Sequence, residues 1–282
     1  MKNVIAGMLV VAIADAVIAF CGEMPIVKLS RKTSMEYISP EGRRNDTTMD
    51  EVEYTQGTMR RFDFRGYVGG SPRNSEKMPP PRMMVINDCA TRQTLTVDLD
   101  AREYVEGTLP DYTNTQQNRK RPEAESSGSS TLVESETHDT GEVESFFGHV
   151  AHHLITTEKR RNVIDNEHLR QAISQTTTID GWYLDFEVPT RNCLPPVHTG
   201  SMPVLSFSSE PPVVKHVGPI PQGLAVKMVR TSRTEVKAQQ GNPTDTVTTI
   251  RQEITELSET PLDPALFQIP AGFRRVEHLY RH

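Results

Sequence analysis

The chain has 282 residues, of which 35% are hydrophobic, and its formal net charge is −6. This acidic balance argues against a general nucleic-acid-binding protein, because such proteins normally present a basic face. The length suffices for one large β domain or two small ones. The sequence holds no phosphate-binding glycine loop, dinucleotide fingerprint or nucleophile elbow. It therefore predicts a protein without catalytic residues and without a cofactor.

The N-terminus has the pattern of a secretory signal. Lys2 precedes an apolar run at residues 4–14, which is too short for a spanning helix of ~20 residues but suits the hydrophobic part of a signal peptide. Small residues allow cleavage after Ala19 or after Ala14. We therefore interpret residues 1–19 as a signal peptide and expect an exported, periplasmic or extracellular protein whose mature chain lacks a spanning segment.

If the protein is exported, its cysteines can form disulfide bonds, because an oxidising compartment permits them. Cys89 and Cys193 both flank predicted strands, whereas Cys21 lies at the extreme end of the mature chain. We favour a disulfide between Cys89 and Cys193. Two separate buried thiols remain the alternative.

The first part of the chain alternates polar and apolar residues in the manner of β-strands. Leu95, Val97 and Leu99 share one face of a strand that a short turn joins to the strand before it, which predicts a hairpin. Strands are predicted at residues 26–38, 49–67, 83–88 and 93–100.

Residues 107–141 have a different composition, rich in Ser, Thr and Glu and almost without large apolar side chains. Such a segment buries too little surface to offset the entropy of ordering it. We predict a disordered insertion that divides one β-sheet domain into residues 20–106 and 142–282.

The clearest alternation in the chain begins at the sole tryptophan. Four large apolar side chains fall on one face of this predicted strand, where they meet either a core or a ligand. The opposite face is interpreted as solvated, since it holds Tyr183, Asp185 and Glu187. The candidate ligand-binding residues are Trp182, Leu184, Phe186 and Val188.

Metal-type residues cluster at His149, His152 and His153. On a strand, His149 and His153 share a face while His152 points the opposite way, so this segment supplies at most two ligands. The sequence therefore predicts no metal site.

The last long strand is rich in β-branched residues at positions 247–255, and Leu257 falls out of phase with it. A bulge near Thr255 or Glu256 would return Leu257 to the buried side. Prolines then bracket residues 261–273, whose apolar side chains predict one short helical turn held against the sheet.

Three motifs together resemble a group of exported, uncharacterised bacterial proteins: FGHVAHH at residues 147–153, DGWYLD at 180–185 and PLDPALFQIPAGF at 261–273. That group is similar in architecture to the outer-membrane lipoprotein carriers (LolA-like proteins). The resemblance implies an open, strongly curved half-barrel sheet whose concave face can hold an acyl chain. It carries no functional residues with it.

These observations predict a mainly β protein formed by a single curved antiparallel open half-barrel sheet with one or two short helices. The function they favour is that of an exported, non-enzymatic binding protein for an acyl chain or other apolar ligand, with a lipid or an envelope protein as partner and no nucleic acid. Two alternatives stay open. One is an envelope structural or interaction protein with a filled core, and the other is a hydrolase or metal-dependent enzyme without recognisable motifs.

Overall fold

The computed structural model describes residues 26–66, 79–109, 130–165, 170–186, 213–238 and 243–279. These residues form one open, curved sheet of 13 strands, with one short 3₁₀ helix at Pro264–Phe267. The mainly β, open-sheet fold predicted from the sequence is therefore confirmed. The strands are β1 (Ile26–Ile38), β2 (Arg44–Gln56), β3 (Met59–Arg65), β4 (Arg82–Asp88), β5 (Gln93–Asp98), β6 (Glu103–Thr108), β7 (Ser130–Phe146), β8 (His149–Asp165), β9 (Arg170–Leu184), β10 (Val213–Val217), β11 (Leu224–Ala238), β12 (Thr244–Ser258) and β13 (Arg274–Arg275).

The sheet joins two meanders, in the order β10-β7-β8-β9-β11-β12-β1-β2-β3-β4-β5-β6-β13. Strands β1 to β6 follow one another, as do β7, β8, β9, β11 and β12, and an antiparallel pairing of β1 with β12 connects the two groups. In the described part of the chain, only the edge strands β10 and β13 pair in parallel, with β7 and β6 respectively. The antiparallel character predicted from the sequence thus holds except at the two edges.

The β1–β12 pairing contains the predicted bulge. Its register shifts between Ser30 and Arg31, which leaves Thr255 as the extra residue on β12. Beyond the bulge Leu257 lies opposite Leu29 and packs, partly buried, against an apolar cluster. The bulge restores Leu257 to a packed position, as the phase of the sequence indicated.

The pairing of neighbouring strands assigns residues to two faces of the sheet. One face, here called the inner face, carries buried and half-buried side chains in the middle strands and becomes exposed towards β1; a row across it runs through Thr156, Ile179, Arg230, Ile250 and Met35. The opposite, outer face carries exposed charges in the same strands; a row across it runs through Trp182, Lys227, Glu253 and Lys32.

The C-terminal segment covers the outer face of β3 to β6. Phe267 and Phe273 pack against an apolar cluster whose buried members are Met84, Ile86 and Val97. Arg61 Nη1 donates to the carbonyl oxygen of Leu266 at 2.8 Å, and Asp263 caps the 3₁₀ helix. The short helical turn predicted for residues 261–273 is therefore confirmed.

The predicted disordered insertion at residues 107–141 is wrong at both of its ends. Leu109 is only 7% exposed, and Ser130–Phe146 forms strand β7. β7 holds few large apolar side chains, of which Val133 is buried, and β8 and β10 pair with its backbone on both sides. At its buried position Thr137, the hydroxyl shares a hydrogen bond with that of Thr156 at 2.9 Å. Residues 110–129 lie outside the described residues.

The strand predicted at 49–67 was also too long. It is a hairpin of β2 and β3, with a turn at Gly57 and Thr58. The alternation of polar and apolar residues continues through this turn, and Gly57, whose φ is +60°, was the signal for it that the prediction overlooked. The signal segment at residues 1–19 lies outside the described residues.

Candidate functional site

The predicted binding residues Trp182, Leu184 and Phe186 do come together, at the end of β9. Leu184 is 0% exposed, while Trp182 and Phe186 are half-buried. Val188 lies outside the described residues. Bulges in β11 and β12 at this end of the sheet change the alternation of those strands. The buried members of the cluster are Val27, Leu29, Ala151, Leu184, Leu224, Val226 and Ile254.

Trp182 is enclosed by side chains of the outer face. The His153 ring stacks on the indole with a centroid distance of 4.7 Å and an interplanar angle of 10°, and the Phe146 ring lies 5.9 Å away. His153 Nδ1 lies 2.9 Å from a Glu142 oxygen, and Nε2 lies 2.8 Å from an Asp180 oxygen. Burial lowers the pKa of His153, but the hydrogen bonds to Asp180 and Glu142 outweigh it and raise the pKa above its ordinary value.

Tyr183 lies on the inner face and is only 3% exposed, so the prediction of a solvated face on its side of the strand was wrong at this position. Its ring covers Gly181, where an added Cβ would come within 2.8 Å of the ring. Burial raises the pKa of Tyr183 to about 12. The strand therefore packs on both sides, because a glycine two residues earlier leaves room for the tyrosine ring.

The histidines of β8 divide between the two faces of the strand as the sequence predicted. His149 contacts Glu259 through Nε2 at 2.8 Å, on the face that also carries His153. His152 approaches Asp185 at 3.6 Å. Among the described residues, no group of three or more His, Cys, Asp or Glu side chains is arranged to hold a metal ion.

An apolar patch that sequence reasoning missed lies on the inner face, towards the turn between β1 and β2. Met35, Tyr37 and Met49 are 39%, 37% and 36% exposed. The strand pairing aligns Ile250 with Met35 on the same face. We call these four residues the inner patch. Met35 and Tyr37 are two residues apart in β1, so the sequence puts them on one face. The polar residues around them gave no sign that this face carries an apolar patch.

Arginines also project from the inner face, and most of them have an acidic partner. Each contact joins side chains that the strand pairing puts on the inner face. The nitrogen–oxygen distances are 3.4 Å for Arg31–Glu51, 2.6 Å for Arg60–Glu53 and 2.8 Å for Arg160–Glu158. The Nε of Arg230 is buried without a hydrogen-bond partner among the described residues, as are those of Arg31 and Arg160. Arg230 differs from the three in that no carboxylate of the described residues forms an ion pair with it.

Cys89 follows β4 and is disulfide-bonded. The other two cysteines, Cys21 and Cys193, both lie outside the described residues. The choice of Cys193 as the partner of Cys89 therefore stays a prediction.

The architecture is that of an open, curved, mainly β sheet protein. No family model and no curated protein matches the chain. A solved LolA superfamily protein from Nitrosomonas europaea aligns with 87% of this chain and 90% of its own, at 6% sequence identity and a TM-score of 0.25. No statement on the fold, ligand or function of this chain rests on this likeness.

The described residues contain no helix that is long and apolar enough to cross a membrane.

Proposed function

We propose that the chain is an exported, non-enzymatic binding protein that holds an acyl chain or another apolar molecule against the inner face of its curved sheet. The observation that supports this proposal is the inner patch. Its members Met35, Tyr37 and Met49 are each more than one third exposed, on a face where the side chains of the middle strands are buried or half-buried. Grouped, exposed apolar side chains on a curved surface are typical of a binding site.

The candidates chosen from sequence suit a ligand less well. Leu184 has no exposed surface to offer, and one face of the Trp182 ring is covered by His153. We therefore assign Trp182, Leu184 and Phe186 to the support of the sheet end. The complete burial of Ala151 and Leu184 favours the second candidate function, an envelope interaction protein whose core is filled.

A neutral apolar dye tests the proposal. N-phenyl-1-naphthylamine becomes fluorescent in apolar surroundings, and we expect the wild-type protein to bind it. Met49→Glu puts a charge in the inner patch, and we expect at least about a tenfold loss of dye affinity because the carboxylate would have to be desolvated.

The matched control is Thr48→Glu, the same charge one residue earlier on the opposite, outer face. We expect this variant to bind the dye as the wild type does. A wild-type protein that leaves the dye dark, or equal binding by the Met49→Glu variant, would contradict the proposal and favour a filled core.

A further inference from the structure

Arg230 is a cation held on the inner face without a contacting carboxylate among the described residues. The charge of Glu158 attracts Arg230 without contact, and the Glu158 carboxylate instead forms an ion pair with Arg160 at 2.8 Å. Burial lowers the pKa of Arg230; the charge of Glu158 raises it in part, the charge of Arg160 lowers it again, and the net shift is downward. Burial removes water from this guanidinium, and no carboxylate in contact with it replaces the lost hydrogen bonds. An anion that reaches the guanidinium would therefore be bound more favourably than at a fully hydrated arginine.

The position of Arg230 relates it to the inner patch. In the strand ladder Ile250 lies directly between Arg230 and Met35. Two strand spacings separate Arg230 from Met35, about 10 Å. The cation therefore adjoins the apolar surface, which is the arrangement that an amphipathic molecule requires.

The surroundings of Arg230 also suit an anionic group. On the same face, the hydroxyls of Thr177 and Ser232 share a hydrogen bond of 3.0 Å, and Ser232 is two residues beyond Arg230 on β11. Both hydroxyls are donors that can turn towards an anion. The inner-face carboxylate on the far side of the patch, Glu51, already lies beside Arg31.

We propose that the ligand of the inner face is an amphipathic anion with a hydrocarbon chain on the inner patch and one phosphate or carboxylate group bound by the Arg230 guanidinium. This inference rests on the proposed function and adds the charge of the ligand to it. A planar guanidinium matches two oxygens of such a group at once, which fixes the orientation of the bound molecule.

The test compares dodecyl phosphate, dodecanol and inorganic phosphate as competitors of N-phenyl-1-naphthylamine. We expect dodecyl phosphate to displace the dye from the wild-type protein at a concentration about tenfold lower than dodecanol, because a hydrogen-bonded charge contact is worth about one factor of ten or more. Arg230→Gln should abolish this difference while dodecanol is bound as before. Arg230→Lys should keep part of it. The control Arg251→Gln removes an arginine of the outer face and should keep all of it.

The outcomes separate the two proposals. If dodecyl phosphate and dodecanol displace the dye equally well from the wild-type protein, the anion site is refuted while the apolar site stands. This comparison uses the wild-type protein alone, so it does not depend on whether any variant folds. A preference that persists in a folded Arg230→Gln protein also refutes it. Displacement by inorganic phosphate alone at the same concentration would show a free-anion site and contradict an amphipathic ligand. If neither dodecyl compound displaces the dye, or the dye does not bind, the proposed function itself fails.

Discussion

At the scale of single residues, the stacked pair of His153 and Trp182 on the outer face should respond to pH. Both ring nitrogens of His153 lie within hydrogen-bond distance of carboxylates, an arrangement that favours the doubly protonated, cationic imidazole. This cation stacks on the face of the indole. The charge of His153 therefore acts on the sole tryptophan of the chain.

We expect the emission of Trp182 to follow the titration of His153. A protonated imidazole stacked on an indole quenches its fluorescence, so emission should be low in acid and rise as the pH passes a midpoint above the ordinary value of about 6.5. Because the folded pKa is raised, the ion pairs stabilise the protein below pH ~6.5, and this contribution is lost as the pH rises through the folded pKa. Emission and thermal melting measured from pH 5 to 9 check both statements.

The control variants for this titration are His153→Gln and His149→Gln. The first should give emission without a titration step in this range, and the second should keep the step because His149 contacts Glu259 instead. A midpoint below the ordinary value, or a step that survives in the His153→Gln protein, would show that the stack is not protonated as described.

Residue-scale prediction from sequence succeeded in grouping side chains and failed in orienting them. The alternation from Trp182 to Phe186 correctly put three apolar residues together. It did not reveal that Tyr183 is buried as well, because that depends on the space above Gly181. Alternation defines two faces of a strand, but which face is covered is decided by strands that are distant in sequence.

At the scale of elements, strands with local signals were predictable. The hairpin of β4 and β5 and the bulge at Thr255 followed from alternation and phase. Strand β7 did not, since its stability comes from two neighbouring strands and from a threonine pair. A composition argument counts apolar side chains, and it cannot see backbone pairing that the rest of the sheet supplies.

The start of β11 depends on Gly223, which has a φ of +81°. A Cβ at this position would lie 1.8 Å from the Leu184 carbonyl oxygen on β9, and backbone cannot yield as a side chain can. We expect Gly223→Ala to lower the free energy of unfolding by at least about 3 kcal/mol, combining the strained conformation with the clash. Urea unfolding measures the loss.

Gly42 is the matched control for Gly223, because its φ is +77° and an added Cβ there meets nothing within 4 Å. Gly42→Ala isolates the conformational cost, which should be about 1 kcal/mol. Equal losses in the two variants would mean that β11 begins without the close approach to β9.

At the scale of the whole molecule, the pairing of β1 with β12 joins two meanders. Within each meander the paired strands are consecutive in sequence, except that β9 pairs with β11 and not with β10, and sequence patterns indicate such hairpins. The pairing of β1 with β12 joins residues more than two hundred positions apart, such as Lys28 and Ser258. No local pattern specifies it, so the sheet order was beyond sequence analysis while the sheet itself was not.

The sheet order also separates the two described strands that residues 110–129 connect. β6 and β7, which they join, lie next to the edge strands β13 and β10 at opposite ends of the sheet. The connection must keep enough length to reach from one to the other, at most ~3.3–3.6 Å for each residue. We therefore expect the length of this connection to matter more for the fold than the identity of its side chains.

We expect a Gly/Ser linker of equal length in place of residues 110–129 to change the melting temperature by only a few degrees. Removing residues 109–140 instead deletes three buried residues, Leu109, Val133 and Thr137. It also removes most of β7, the strand with which both β8 and β10 pair. This deletion should lower the melting temperature by roughly ten degrees or more, since each kcal/mol lost is worth about 2–4 °C in a domain of this size. Calorimetry of the two proteins decides the matter. A large loss in the equal-length variant would show that the side chains of residues 110–129 pack on the sheet, and a tolerated deletion would show that β7 contributes little to its stability.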